Sequence, residues 1–305
     1  MPQSRDQSGT TRRQSTPRGR KKGEQTVLSK MPGAGARALL MMLLIILPTT
    51  MIPFVSTDGA LVVMVVALFA AAFTIAEYST ASPSLIEFRD APPFNRIRFG
   101  ALFIAVFMMS TILSAGTTGS TFAMLIAAVG DRVGHLTDFP FSPVRLLILA
   151  IPDSMSTSVV DDVRTSAGLS YVISLISLAI FIVILRSNAW PRRTQSFNFW
   201  INLPTFDPTA GGDVVDRLNR DSSVNLVLGF LLPFLIPAAL KASSTIVSPV
   251  AFDDQQTLIW TVAIWAFLPA SLLMRGVALA RVAQMIHVQR KKAYAAAAAE
   301  GMLPV

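Results

Sequence analysis

The chain has 305 residues, 52% of them hydrophobic and only 14% charged, with a formal net charge of +8 and no cysteine. A soluble globular domain carries about a quarter charged residues, so this balance points to a membrane protein. The missing cysteine excludes disulfides, thiolate metal sites and a cysteine nucleophile.

Residues 1–37 are rich in Ser, Thr, Gly, Pro and basic side chains, a composition expected to form a disordered basic cytoplasmic tail. The apolar region starts near Ala38, after a polar leader too long for a cleavable signal peptide. The basic residues hold the first helix in place, and they also offer a contact to anionic lipid or an acidic partner. No aromatic residue interleaves them, so nucleic acid is not an expected partner.

Six stretches have the roughly 20 apolar residues that a helix needs to cross the hydrocarbon core. They are residues 38–56, 60–78, 99–117, 167–185, 224–245 and 258–277. Only the polar turn 56–59 separates the first two, which makes them an antiparallel hairpin. With six crossings, Arg89, Arg96, Arg98, the 186–223 arginines and the basic tail all fall on the side of residues 1–37. The opposite side keeps Arg132, Arg145 and Arg164 among several aspartates, including Asp58, Asp131, Asp253 and Asp254. The positive-inside rule then puts both termini in the cytoplasm, and a seventh crossing would move Arg192 and Arg193 to the wrong side. Arginine greatly outnumbers lysine, a hint of a high-GC bacterial gene, and the expected location is a bacterial inner (plasma) membrane.

Ionisable groups at membrane depth mark relays and substrate paths. The candidates are Glu77, Lys241 and Arg275. At 1.5 Å per residue, Lys241 lies about 25 Å along its helix from Asn225, at the outer interface. Arg275 reaches the inner interface, and Glu77 ends the second span near Arg89, Arg96 or Arg98. None stands at the midplane, which disfavours an ion pump, a voltage sensor or a proton-coupled antiporter. The interior offers Ala67 and Ala71, Ser110 and Ser114, and Ser170 and Ser174. Each pair has the four-residue spacing that lets helices pack closely and hydrogen-bond across the contact. Pro48, Pro53, Pro233, Pro237 and Pro269 should kink their helices.

Between the third and fourth spans, residues 122–130 and 144–151 are apolar but too short to cross. Ser142 can cap the second, with Pro143 at its first helical position. These are read as short outer-face helices, interfacial or re-entrant, with the interfacial arrangement preferred. Asp131, His135 and Asp138 share one helical face at i, i+4 and i+7 and suit a divalent ion. Gly130, Gly134 and Pro140 oppose a helix there, so no metal is assigned. In the 186–223 loop, Trp190 and Trp200 read as interfacial aromatic anchors, alongside Lys241 and Arg275 as charged anchors. Residues 213–219 read as a short amphipathic helix. That loop and residues 87–94 form the best docking surfaces on the cytoplasmic side. Residues 279–305 are expected to leave the last span as a juxtamembrane helix and tail, lying on the membrane or docking a partner helix.

Catalytic templates fail. There is no Gly-x-Ser-x-Gly elbow, the two histidines fall on opposite sides of the membrane, and no phosphate loop occurs. The sequence therefore describes an all-α integral membrane protein with about six transmembrane helices in a bundle, no enzyme and no cofactor. Two roles are open. One is a non-catalytic accessory, assembly or scaffold component that contacts the bilayer and other membrane subunits. The other is a facilitative transporter or channel for a small solute, with a path lined by Ser, Thr and the short outer helices.

Overall fold

The computed structural model describes residues 19–53, 55–80, 83–187, 190, 197–207, 209, 211–244 and 250–299, with side chains from residue 32 onward. All regular structure among them is helical. In chain order the helices are α1 (Gly19–Met51), α2 (Thr57–Ser79), α3 (Phe94–Thr118), α4 (Thr121–Thr137), α5 (Pro143–Ala150), α6 (Thr157–Arg186), α7 (Phe199–Asn202), α8 (Val214–Ser243) and α9 (Gln255–Ala299). Six of these, α1, α2, α3, α6, α8 and α9, are long and apolar enough to cross a membrane. The chain is a polytopic membrane protein.

Local chemistry sets the boundaries. Ser56 caps α2 by accepting the Gly59 N–H at 3.1 Å, which closes the expected hairpin. Gly119, at φ 58°, ends α3 in the left-handed conformation that glycine tolerates best. Ser142 accepts the Arg145 N–H at 3.0 Å ahead of Pro143, so α5 starts where its cap and proline require. Two expectations change here. α1 begins at Gly19, well before Ala38, so the expected disordered arm is left with residues 1–18, which lie outside the described ones. Asp213 caps a helix that runs unbroken into the fifth span, because the amphipathic turns 214–222 pack on α9 instead of ending at a loop.

Helices α3, α6 and α9 pack together at the centre. The α1–α2 hairpin leans on α3 through α1, and among the described residues α2 packs on α1 alone. Of α2 only Ala67, Thr74 and Glu77 are buried, and large apolar side chains such as Leu61, Val65, Leu68 and Phe69 are exposed. On the far side α8 packs along α9. Antiparallel crossings define an acidic end, holding Asp58, α4, α5, Asp253 and Asp254, and a basic end, holding Arg89, Arg96, Arg98, Arg217 and Arg281.

The α8–α9 contact shows how prolines are accommodated. Pro237 has no N–H to give the Pro233 carbonyl four residues earlier. The Trp265 Nε1–H donates to that carbonyl instead, at 3.1 Å, with the indole 1% exposed. One turn away, a Cβ on Gly229 would stand 2.7 Å from Leu273 Cγ and 2.9 Å from the Pro269 carbonyl oxygen, so the backbones approach where glycine leaves room. Ser222 Oγ donates across to the Gly276 carbonyl at 2.8 Å. Trp265→Phe keeps the ring and removes the donor. It should cost about 1–3 kcal/mol, the penalty for a buried unsatisfied carbonyl, read as a lower thermal midpoint in detergent.

A second close crossing joins α4 to α6. A Cβ on Gly168 would lie 2.6 Å from the Gly134 Cα, and one on Gly130 would lie 2.9 Å from Thr165 Cγ2. Gly130 and Gly134, expected to weaken a helix, instead form the contact face of an intact one. The lost helix propensity, about 1 kcal/mol each, is offset by backbone contact with α6.

The short helices are also less peripheral than expected. α5 lies between α6 and α8, which do not approach each other directly, and its Val144 and Leu147 are fully buried in the main core. It is a wedge inside the bundle, not a helix resting on lipid. α4 has two faces. Its small residues pack on α3 and α6, while Phe122, Met124, Leu125, Val129 and Leu136 are exposed.

Candidate functional site

Charged and polar side chains gather at the two ends of the bundle. At the basic end, residues 83–93 and the 197–207 segment fold onto each other and onto the helix ends. Phe88, Phe94, Phe181, Trp190, Leu203 and Leu218 are buried there as a second core, separate from the main one. Trp190 sits at its centre, 1% exposed. Its ring centroid is 5.6 Å from Phe88 and 6.2 Å from Phe181, and its Nε1–H donates to the Ala91 carbonyl at 2.9 Å. The expected interfacial anchor is thus a core residue, because a full set of aromatic neighbours and a buried acceptor satisfy both halves of the indole. Trp200, in contrast, is exposed.

Three polar latches hold this cap. Asn202 joins the two segments: its Oδ1 accepts the Asp90 N–H at 3.0 Å, and its carbonyl accepts the Phe88 N–H at 2.7 Å. Glu87 accepts a forked pair from Arg275, Nε to Oε2 at 2.6 Å and Nη2 to Oε1 at 2.8 Å, and a further bond from Thr205 Oγ1 at 3.0 Å. Arg275, expected to reach lipid headgroups, is turned inward by this bidentate pair. The Glu77 carboxylate, expected to face an arginine, accepts the N–H groups of Ser84, Leu85 and Ile86 at 3.1–3.2 Å and the Ser84 hydroxyl. Arg89 instead donates to the Glu77 and Thr80 carbonyls, at 2.8 Å each. The two segments expected to be free docking surfaces are therefore largely occupied by each other.

Farther along, Arg290 on α9 donates to Asp213 Oδ2 at 2.6 Å and ties the start of α8 to the projecting part of α9. The arginine, with help from the Val215 N–H, holds the Asp213 carboxyl below its ordinary value. A depressed carboxyl contributes stability above its unfolded pKa of about 3.9 and loses it as pH falls through the lower folded value. Spin labels flanking the pair should report one close distance from neutral pH to about pH 4, broadening only in stronger acid.

At the acidic end, Asp138 is nearly buried between α4, α5 and α6. Its Oδ2 accepts the Arg164 Nε–H at 3.0 Å, and its Oδ1 lies 2.8 Å from Arg145 Nε. The Arg145 contact is ionic rather than directed, since no N–H points at Oδ1. Arg164 also bonds Asp161. This network removes Asp138 from the proposed metal triad. His135 Nε2 is 3.5 Å from Asp131 Oδ1, both exposed, and no group of three metal-ligating side chains occurs among the described residues.

Also at the acidic end, a cavity of about 700 Å³ opens between the α1–α2 turn, the end of α3 and the start of α9. Ser56, Thr117, Asp253, Asp254, Gln255 and Gln256 line it, and Gln256 Nε2–H donates to Thr49 Oγ1 at 3.0 Å. Sequence patterning gave no hint of this cavity, since its lining comes from three distant segments.

The expected packing residues Ser110, Ser114, Ser170 and Ser174 are buried, as is Ala67, while Ala71 is partly covered. Their hydroxyls were expected to bond across helices. Ser110 instead donates to the Val106 carbonyl and Ser114 to the Thr111 carbonyl, both within α3. The Ser166 and Ser170 hydroxyls, fully buried, have no hydrogen-bond partner among the described residues. Lys241, on the last turn of α8, is exposed. No known protein family matches the sequence, and neither a curated protein nor a solved structure is significantly similar to the chain.

Proposed function

We propose that the chain is a non-catalytic accessory, assembly or scaffold subunit of a larger membrane complex. In this reading it sits in a bacterial inner (plasma) membrane, with its basic end and both termini in the cytoplasm. The observation that carries the reading is where polar groups go. Charged side chains near the bundle join loops to helices at the two ends, as in Glu87–Arg275 and Asp138–Arg164. The mid-bundle hydroxyls of Ser110, Thr111 and Ser177 donate to carbonyls of their own helices. Such an interior packs rather than conducts. α2, which among the described residues packs on α1 alone, leaves a long apolar face for lipid or a neighbouring subunit.

Purification in mild detergent should recover partner subunits in fixed stoichiometry. A clean monomer that drives solute uptake into liposomes would overturn the proposal. One observation favours the second reading, a facilitative transporter or channel: the cavity at the acidic end is large enough for a small solute. Its lining residues all lie at that end, so it supports a vestibule and not a path.

A further inference from the structure

Arg98 stands just ahead of residues 99–118, an uncharged stretch whose rise of about 1.5 Å per residue matches the roughly 30 Å hydrocarbon layer. It stands in the first, basic-end turns of the candidate span Phe94–Thr118. Its guanidinium carbon is 5.0 Å from the Phe94 ring centroid and 5.7 Å from that of Phe267, so α3 and α9 brace it from two sides. Among the described residues its buried Nε has no hydrogen-bond partner, and Nη1 makes a long 3.5 Å bond to Asn95 Oδ1. Asn95 is itself fixed, because its Nδ2 donates to the Glu87 carbonyl at 2.7 Å.

The charged neighbours of Arg98 are Glu87 and Arg275. Both carboxylate oxygens of Glu87 are committed to Arg275 at 2.6 and 2.8 Å. Two guanidiniums thus share one carboxylate, and Arg98 makes no ion pair among the described residues. An arginine cannot relieve this by losing its proton, and a cation at the hydrocarbon boundary is costly without an anion or water. The anion available in that plane is a phosphate, whose oxygens match the planar fork of a guanidinium.

We propose that Arg98, braced by Phe94 and Phe267, is the base of a binding site for a phosphate-bearing anion, the headgroup phosphate of an acidic phospholipid. Binding completes the charge balance of the Arg98–Glu87–Arg275 group and ties the basic-end cap to the bilayer. The site does not depend on the accessory role and would serve a transporter equally.

The test uses the full-length protein, delipidated in a neutral detergent, with thermal unfolding followed during titration. Phosphatidylglycerol should raise the midpoint by several degrees, and phosphatidylcholine should leave it nearly unchanged. An equal rise with inorganic phosphate alone would keep the site and assign it to free phosphate. Arg98→Gln should weaken the response about tenfold or more. Arg98→Lys should retain part of it, because a point charge still attracts phosphate. The exposed neighbour Arg96 provides the control, and Arg96→Gln should respond as the unaltered protein does. Equal responses in Arg98→Gln and the unaltered protein would overturn the proposal, as would equal losses in Arg96→Gln and Arg98→Gln. Native mass spectrometry of the unaltered protein covers a variant that fails to fold: retained anionic lipid or phosphate supports the site, and its complete absence sinks it.

Discussion

Asp138→Asn should destabilise the protein by about 3 kcal/mol, near the lower end of the range for breaking a buried ion pair. The substitution leaves Arg145 and Arg164 without their shared carboxylate at the junction of α4, α5 and α6. Arg164 keeps Asp161, which limits the loss. Because α5 is held against α6 and α8 at this point, proteolysis in the 138–156 region should speed up along with the drop in thermal midpoint. Asp131→Asn makes the complementary measurement. Asp131 and His135 are exposed, so a change within about 0.5 kcal/mol is expected. A comparable loss at Asp131, or stabilisation by added divalent metal that needs Asp138, would favour the metal reading instead.

Trp190→Ala should cost about 3–5 kcal/mol, the usual range for removing a large aromatic side chain from a packed core. Trp190 fills the space between Phe88 and Phe181 and holds the Ala91 carbonyl, so its loss should release residues 83–93 from residues 197–207. Trp190→Phe separates packing from hydrogen bonding and should cost about 1–2 kcal/mol. A membrane-surface anchor would behave differently. Its removal would cost little in detergent and would change mainly the response to lipid. Tryptophan fluorescence, unfolding midpoints and hydrogen exchange in the 83–93 amides would distinguish the two.

What was legible in the sequence follows from the range of each interaction. A span depends on the summed hydrophobicity of about 20 consecutive residues, so each of the six falls on one of the six long helices, although α1, α6, α8 and α9 run 10 or more residues beyond the apolar stretch at one end. Caps are equally local, and Ser142 with Pro143 starts α5 where expected. The cap at the basic end is different in kind. Glu87 meets Arg275, Asp90 meets Asn202 and Trp190 meets Ala91, contacts between segments far apart in the chain that no local pattern announces. Reading Trp190 and Arg275 as surface anchors failed for that reason: their composition suits an interface, and only the fold supplies buried partners. Gly130 and Gly134 did carry a readable signal, the four-residue glycine spacing of closely packed membrane helices. Helix propensity alone gives those glycines the opposite meaning. The Pro233–Pro237 pair marked an irregular helix, but nothing local pointed to Trp265 as the donor that repairs it.

If the middle of the bundle is a dry packing surface, a water-borne reagent should not reach it. The chain has no native cysteine, so single cysteines can be placed at will and probed with a membrane-impermeant thiol reagent in intact membranes. Ser110 and Ser170, both 0% exposed, should yield cysteines that stay unlabelled, while Asp253→Cys at the mouth of the acidic-end cavity should label quickly. Rapid labelling at position 110 or 170 would reveal water running through the bundle, and would contradict the packing account in favour of a transport path.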